Sequence, residues 1–189
     1  ADRGANQFVI ALDAKDGTEL WAARIGASWQ GGGYAGPRCT PTVDGAHVYA
    51  IGPHGDLVCL ETKTGKVVWE KDFRRDFGGL MMSHWGFSES PLVDGDRLIC
   101  TPGGKTAAIV ALDKSTGAEI WRASVPTSQE KGRAGAGYSS IVVSSGAGVR
   151  QYVQLMGRGL VSVRAKDGQF LWDYNRVANK TANIPTAIV

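Results

Sequence analysis

The sequence predicts an all-β protein assembled from repeated four-stranded antiparallel sheets. Three observations predict it. A twelve-residue window recurs four times, a second hairpin pattern precedes the later copies, and glycine is in excess at 26 of 189 residues. That is roughly twice ordinary usage, without a collagen period, so the glycines belong in turns. Four short strands per unit of about fifty residues is the pattern of β-propeller blades.

The window reads IALDAKDGTELW at 10–21, VCLETKTGKVVW at 58–69, VALDKSTGAEIW at 110–121 and VSVRAKDGQFLW at 161–172. Its tryptophans, Trp21, Trp69, Trp121 and Trp172, are 48, 52 and 51 residues apart. Ile10, Val58, Val110 and Val161 open one short strand; Leu20, Val68, Ile120 and Leu171 lie in the next. β-Branched and apolar residues at this density mark strands. Between them Gly17, Gly65, Gly117 and Gly168 close a turn that wants a left-handed residue, which glycine supplies without a Cβ clash. Asp13, Glu61 and Asp113 precede the turn and can accept its backbone N–H groups, a structural task. Arg164 departs from that pattern. Apolar residues occur at odd and even positions, so both faces are buried and sheet stacks on sheet. The small residues Ala11, Cys59, Ala111 and Ser162 leave room for an indole from a neighbouring sheet.

A second hairpin reads TPTVDGAHVYAIG at 40–52 and SPLVDGDRLICTPG at 90–103, with a looser version, SIVVSSGAGVRQYVQL, at 140–155. Pro41 and Pro91 sit at strand starts, where a missing N–H is tolerated. The blade pieces are therefore 1–25, 38–73, 87–124, 138–175 and 183–189. The first is expected to hold only third and fourth strands, and the last to open another blade. A ring takes four to eight blades, so the chain is expected to be part of a larger ring. A four-bladed closed ring is the alternative.

Composition excludes several classes. No apolar run is long enough to span a membrane as a helix. A net charge of +3 is too small to argue for nucleic acid or an anionic membrane. Cys39, Cys59 and Cys100 form no metal pattern and read as buried free thiols. Residues 1–4 carry no apolar signal core.

The tryptophan window resembles the docking repeat of pyrroloquinoline-quinone (PQQ) dehydrogenase-like propellers, and its four copies cover the chain. The resemblance implies an eight-bladed, usually exported domain (periplasmic, cell-surface or secreted) in which each tryptophan ties adjacent blades. That superfamily holds quinoprotein alcohol dehydrogenases and also non-catalytic scaffolds of the BamB type. Fold does not decide between them. The dehydrogenases carry a vicinal Cys–Cys disulfide, a calcium site and a catalytic Asp; this sequence has no Cys–Cys pair and no recognisable reaction centre. The expectation is a non-catalytic binding or assembly scaffold that takes a protein partner or small ligand at the propeller mouth. The rival is part of an alcohol or sugar dehydrogenase, and only that reading brings in PQQ and calcium.

The mouth is expected from entry loops at 26–39, 73–88 and 124–139, with His54, Lys105 and Arg158 from a second set of loops, because loops on rigid scaffolds carry function. The first holds Trp29, Gly31 to Gly33, Tyr34 and Arg38. The segment Phe73–Ser88 mixes arginines, methionines and aromatics, either as a recognition surface or as a packed loop in which Met81, Met82 and Trp85 plug a blade interface. Arg38, Ser88 and Tyr138 precede inner strands and are candidates for the polar channel lining. His84 beside Trp85 is a candidate anion or quinone contact. Glu89 is the one carboxylate nominated for a calcium-bound quinone. A lone carboxylate is a poor start for an ion that takes six to eight oxygens. No catalytic residue and no metal ligand set are assigned.

Overall fold

The computed structural model describes residues 1–31, 35–126 and 130–189. Tyr34, Gly32 and Gly33 lie outside the described residues.

Four antiparallel sheets follow one another along the chain. The first holds β1 (Asp2–Arg3), β2 (Asn6–Leu12) and β3 (Glu19–Ala27). The second holds β4 (Thr42–Asp44), β5 (His47–Ile51), β6 (Asp56–Glu61) and β7 (Val67–Asp72). A short helix, α1 (Phe73–Phe77), leads on to β8 (Leu92–Asp94), β9 (Arg97–Cys100), β10 (Ile109–Asp113) and β11 (Glu119–Ala123). The last sheet is β12 (Val142–Gly146), β13 (Val149–Met156), β14 (Gly159–Arg164) and β15 (Phe170–Tyr174). Strands within each sheet lie in sequence order, so each sheet is an up-and-down meander.

Two details differ from the sequence expectation. The first sheet has a third strand, the two-residue β1, because Asp2 and Arg3 pair with Gln7 and Asn6. Residues 183–189 form no strand. They lie against the preceding sheet instead, where the Tyr138 N–H donates to Asn183 O at 2.8 Å and the Ser140 N–H to Thr186 Oγ1 at 3.2 Å.

The first strands of successive sheets converge. The Thr40 N–H donates to Ser90 Oγ at 3.3 Å and the Ser90 N–H to Ser140 Oγ at 2.9 Å. Thr186 continues this series at the same repeat position. The three first strands border a cavity of about 460 Å³ lined by Thr42, Asp44, Ser90, Leu92 and Ser140. This is the axial side.

The sheets stack through three apolar layers, and the period-2 alternation of strands explains how one strand feeds two of them. In β5, Val48 and Ala50 join the layer against the first sheet, while Tyr49 and Ile51 join the layer against the third. In β10, Val110 and Leu112 face the second sheet while Ile109 and Ala111 face the fourth.

The tryptophans fasten these layers. Trp21 donates its indole N–H to Thr62 O at 3.0 Å and covers Gly65; Trp69 donates to Lys114 O at 3.1 Å and covers Gly117. Trp121 covers Gly168. These three indoles thus seat on the third-to-fourth-strand turn of the following sheet, whereas the Trp172 indole donates to Gln151 Oε1 of its own sheet at 2.9 Å. The four turn glycines have φ between +70° and +74°, and each donates its N–H to the carbonyl four residues earlier at 2.8 Å. Asp13 and Asp113 cap their turns through backbone N–H groups, as their position suggests. The small residues have a different role from the one expected. Ala11, Cys59, Ala111 and Ser162 lie directly across the strand pair from the tryptophan of their own sheet. They make room for that indole, not for a neighbour's.

Candidate functional site

The meander sets two ends. One carries the tight turns, such as 44–47 and 61–66. The other, the mouth, carries the entry loops and the connections between second and third strands.

At the mouth the loops are tied to each other by backbone hydrogen bonds. The Leu80 N–H donates to Pro102 O at 2.9 Å, Met82 N–H to Ala136 O at 3.0 Å, Ala136 N–H to Leu80 O at 2.8 Å and Gly157 N–H to Gly135 O at 2.9 Å. Four loops from three sheets thereby become one surface.

The segment Phe73–Ser88 divides into core and surface. Asp72 caps α1 by accepting from the Arg75 N–H at 2.8 Å, and Gly78 ends it at φ +63°. Phe73, Phe77, Met81, Met82 and Phe87 are buried. Arg74, Leu80 and His84 are exposed. Met81 and Met82 are packed as the loop alternative expects, while Arg74, Leu80 and His84 stay on the surface.

Some candidates are brought together. The His84 and Trp85 rings lie 5.1 Å apart and Trp85 lies 5.7 Å from Tyr138. The Tyr138 hydroxyl bonds Ser83 Oγ, and Ser88 Oγ donates to Tyr138 O at 3.5 Å. Arg38 belongs to a separate group, stacked 5.5 Å over Trp29, which also meets His54 at 5.4 Å. Neither group lines the cavity bordered by the first strands.

Glu89 lies in a third place. It is buried, and burial pushes its carboxyl up to about 7 against the pull of its hydrogen bonds. Oε1 accepts from the Thr101 N–H, and Oε2 accepts from Gln154 Nε2 at 3.2 Å. Gln154 also donates to Thr101 Oγ1 at 2.8 Å, and Ser139 Oγ donates to Gln154 Oε1 at 3.0 Å. This buried network joins the third and fourth sheets. Thr101, Ser139 and Gln154 were not picked out from sequence. Aligning the repeats shows part of the signal: Cys39, Glu89 and Ser139 occupy one position and Ile51, Thr101 and Leu155 the facing one, while Gln154 stands where the earlier sheets have Ala50 and Cys100. In the second sheet the same pair is Ile51 N–H to Cys39 Sγ at 3.4 Å.

The carboxylate does not suit a calcium ion. Both oxygens already meet N–H donors, whose protons point where a cation would sit. Among the described residues no group of three or more His, Cys, Asp or Glu could hold a metal. No helix among them is long and apolar enough to cross a membrane.

These features define the class: an arc of PQQ-like propeller blades closed on each other by docked indoles. The family model for outer membrane protein assembly factor BamB matches residues 5–186, and the chain belongs to that family. It is 32% identical over 108 residues to the outer membrane protein assembly factor BamB of Xanthomonas campestris pv. campestris, covering 57% of this chain and 25% of that protein. The chain thus spans about a quarter of the length of the curated relatives it matches. Among solved structures, BamB from Moraxella catarrhalis superposes with a TM-score of 0.57 at 17% identity, over 92% of this chain and 50% of that one. The quinohemoprotein alcohol dehydrogenase ADHIIG from Pseudomonas putida HK5 gives 0.61 at 20% identity, over 95% of this chain and 32% of that one. At these identities the two likenesses establish the fold.

Proposed function

We propose that the protein is a non-catalytic scaffold on the extracytoplasmic side of a membrane, holding a protein partner against the loop-bearing end of its propeller. The observation that carries this reading is the mesh of backbone hydrogen bonds at the mouth. It fixes loops from three sheets in one rigid display, which lowers the ordering cost of binding. Arg74, Lys131 and Arg133 are exposed there and outnumber the exposed Glu130, which favours an acidic partner through electrostatic steering. The family relationship to an outer membrane protein assembly factor supports the compartment and the role.

The test is site-specific photo-crosslinking of the full-length protein in cells. A crosslinker at His84 or Lys131 should yield a protein adduct, and one at Lys63, on the opposite end, should not. Adducts only from Lys63, or none from any position, would refute the mouth as the partner surface. Robust alcohol oxidation after reconstitution with PQQ and Ca²⁺ would refute the non-catalytic assignment.

A further inference from the structure

The repeat sets two thiols against each other across the seam between the second and third sheets. In the next seam Glu89 of the third sheet meets Gln154 of the fourth, Oε2 to Nε2 at 3.2 Å. Cys39 holds the place of Glu89 in its own sheet, since each accepts the facing backbone N–H, from Ile51 and Thr101 respectively. Cys100 holds the place of Gln154, since each pairs with the first residue of the repeat window, Val110 and Val161. Cys39 therefore faces Cys100 where, one seam later, the carboxyl faces the amide. Packing agrees, because Cys39 lies against the apolar layer that contains Cys100. The Cys39 thiol also adds to the burial that pushes the Cys100 thiol up. A disulfide requires Cα atoms within about 7 Å, and the first strands converge here. The Thr40 N–H donates to Ser90 Oγ at 3.3 Å and Thr42 Oγ1 to Pro91 O at 2.5 Å. The third cysteine stands apart: Cys59 lies across from Trp69 on one side and Tyr49 on the other.

We infer that Cys39 and Cys100 are a disulfide-forming pair, whose bond locks the second sheet to the third. Both are free thiols in the structure. Cys100 is 0% exposed once the sheets stack, so the bond is made while the chain folds. The oxidant is a small disulfide such as oxidised glutathione. The Cys39 thiolate attacks one of its sulfurs and releases one glutathione thiolate; the Cys100 thiolate then attacks Cys39 Sγ and releases the second. The two cysteine protons end on the released thiolates. The protein pair gives up two electrons, and the glutathione disulfide takes them. The extracytoplasmic compartment proposed above is where such oxidants act. The bond needs only these two side chains, so it and the partner surface can fail independently.

The test is to unfold the full chain under reductant, refold it in a glutathione redox buffer, block free thiols and map the cysteines by mass spectrometry. A Cys39–Cys100 linked peptide should appear, with Cys59 blocked as a free thiol. Adding dithiothreitol to the refolded chain should lower its urea midpoint by about 1 M or more, because the closed loop between the two cysteines is long. Cys59→Ser should keep both the link and the response to reductant. Cys39→Ser, at a half-buried position, should abolish both while unfolding close to the reduced parent, which separates loss of the bond from misfolding. Free thiols at both 39 and 100 in the refolded chain would overturn the assignment. So would a link through Cys59, or a linked chain whose midpoint ignores the reductant.

Discussion

Replacing Gly168 by alanine isolates the docking contact from the cost of the turn. Gly168 and Gly17 have nearly the same backbone, φ +73° and +74°, so an alanine at either incurs the same left-handed penalty, roughly 1–2 kcal/mol. Their surroundings differ. A Cβ at Gly168 would lie 2.5 Å from Cε3 of Trp121, whereas a Cβ at Gly17 would meet nothing within 4 Å. Overpacking of that kind costs a further ~1–3 kcal/mol. Gly168→Ala should therefore lower the urea unfolding free energy by about 2–5 kcal/mol and Gly17→Ala by about 1–2 kcal/mol. Trp121→Ala alone should cost about 3–5 kcal/mol, since the indole is 8% exposed. In the Trp121→Ala background the excess at Gly168 should vanish, giving a coupling of roughly 1–3 kcal/mol, as expected for residues in contact. Equal costs at the two glycines, with strictly additive effects in the double variant, would refute the reasoning. The m-values should stay constant so that midpoints report stability alone.

Three other outcomes are expected. Glu89 holds its proton in the folded state up to about 7 but gives it up near 4.3 when unfolded. Stability should fall as pH rises through that window, by ~4 kcal/mol at most, and Glu89→Gln should flatten the urea-midpoint profile; an unchanged slope in the variant would count against the burial argument. Arg97 donates to Ala165 O at 2.6 Å, the repeat equivalent of the carbonyls that take the Trp21 and Trp69 indoles, and the Trp121 N–H has no partner among the described residues. Arg97→Leu should release that carbonyl, moving the Trp121 indole proton downfield and slowing its exchange; an unmoved resonance would show that the carbonyl is out of reach. Burial pushes the Cys39 and Cys59 thiols up to about 11 and Cys100 well above the usual range, so all three should resist a disulfide exchange reagent at neutral pH until the chain unfolds.

What was legible in the sequence was local. The paired strands and turn around Gly117 span twelve residues and repeat four times, so period, polarity and turn chemistry all agree. The second task of Gly65, Gly117 and Gly168 was hidden, because the indole that needs the missing Cβ comes from the preceding sheet, 44 to 48 positions earlier in sequence. Glu89 stands out in sequence as a lone carboxylate beside Ser88, but its partner Gln154 lies 65 positions away, and no local pattern encodes that pairing. The helix Phe73–Phe77 did leave a local mark, a capping Asp72 and a closing Gly78, in a segment whose aromatics drew attention toward recognition. Burial of those aromatics also means that deleting the whole segment would remove core, so the mouth is probed through single exposed side chains.

The central claim is that each indole is sealed by the turn of the sheet that follows it, and that Trp172 has no such turn within this chain. Hydroxyl-radical footprinting of the 189-residue chain, read tryptophan by tryptophan by mass spectrometry, tests it directly. Trp172, 39% exposed, should oxidise fastest and Trp121 slowest. Uniform oxidation, or a Trp121 as reactive as Trp172, would contradict the docked arc.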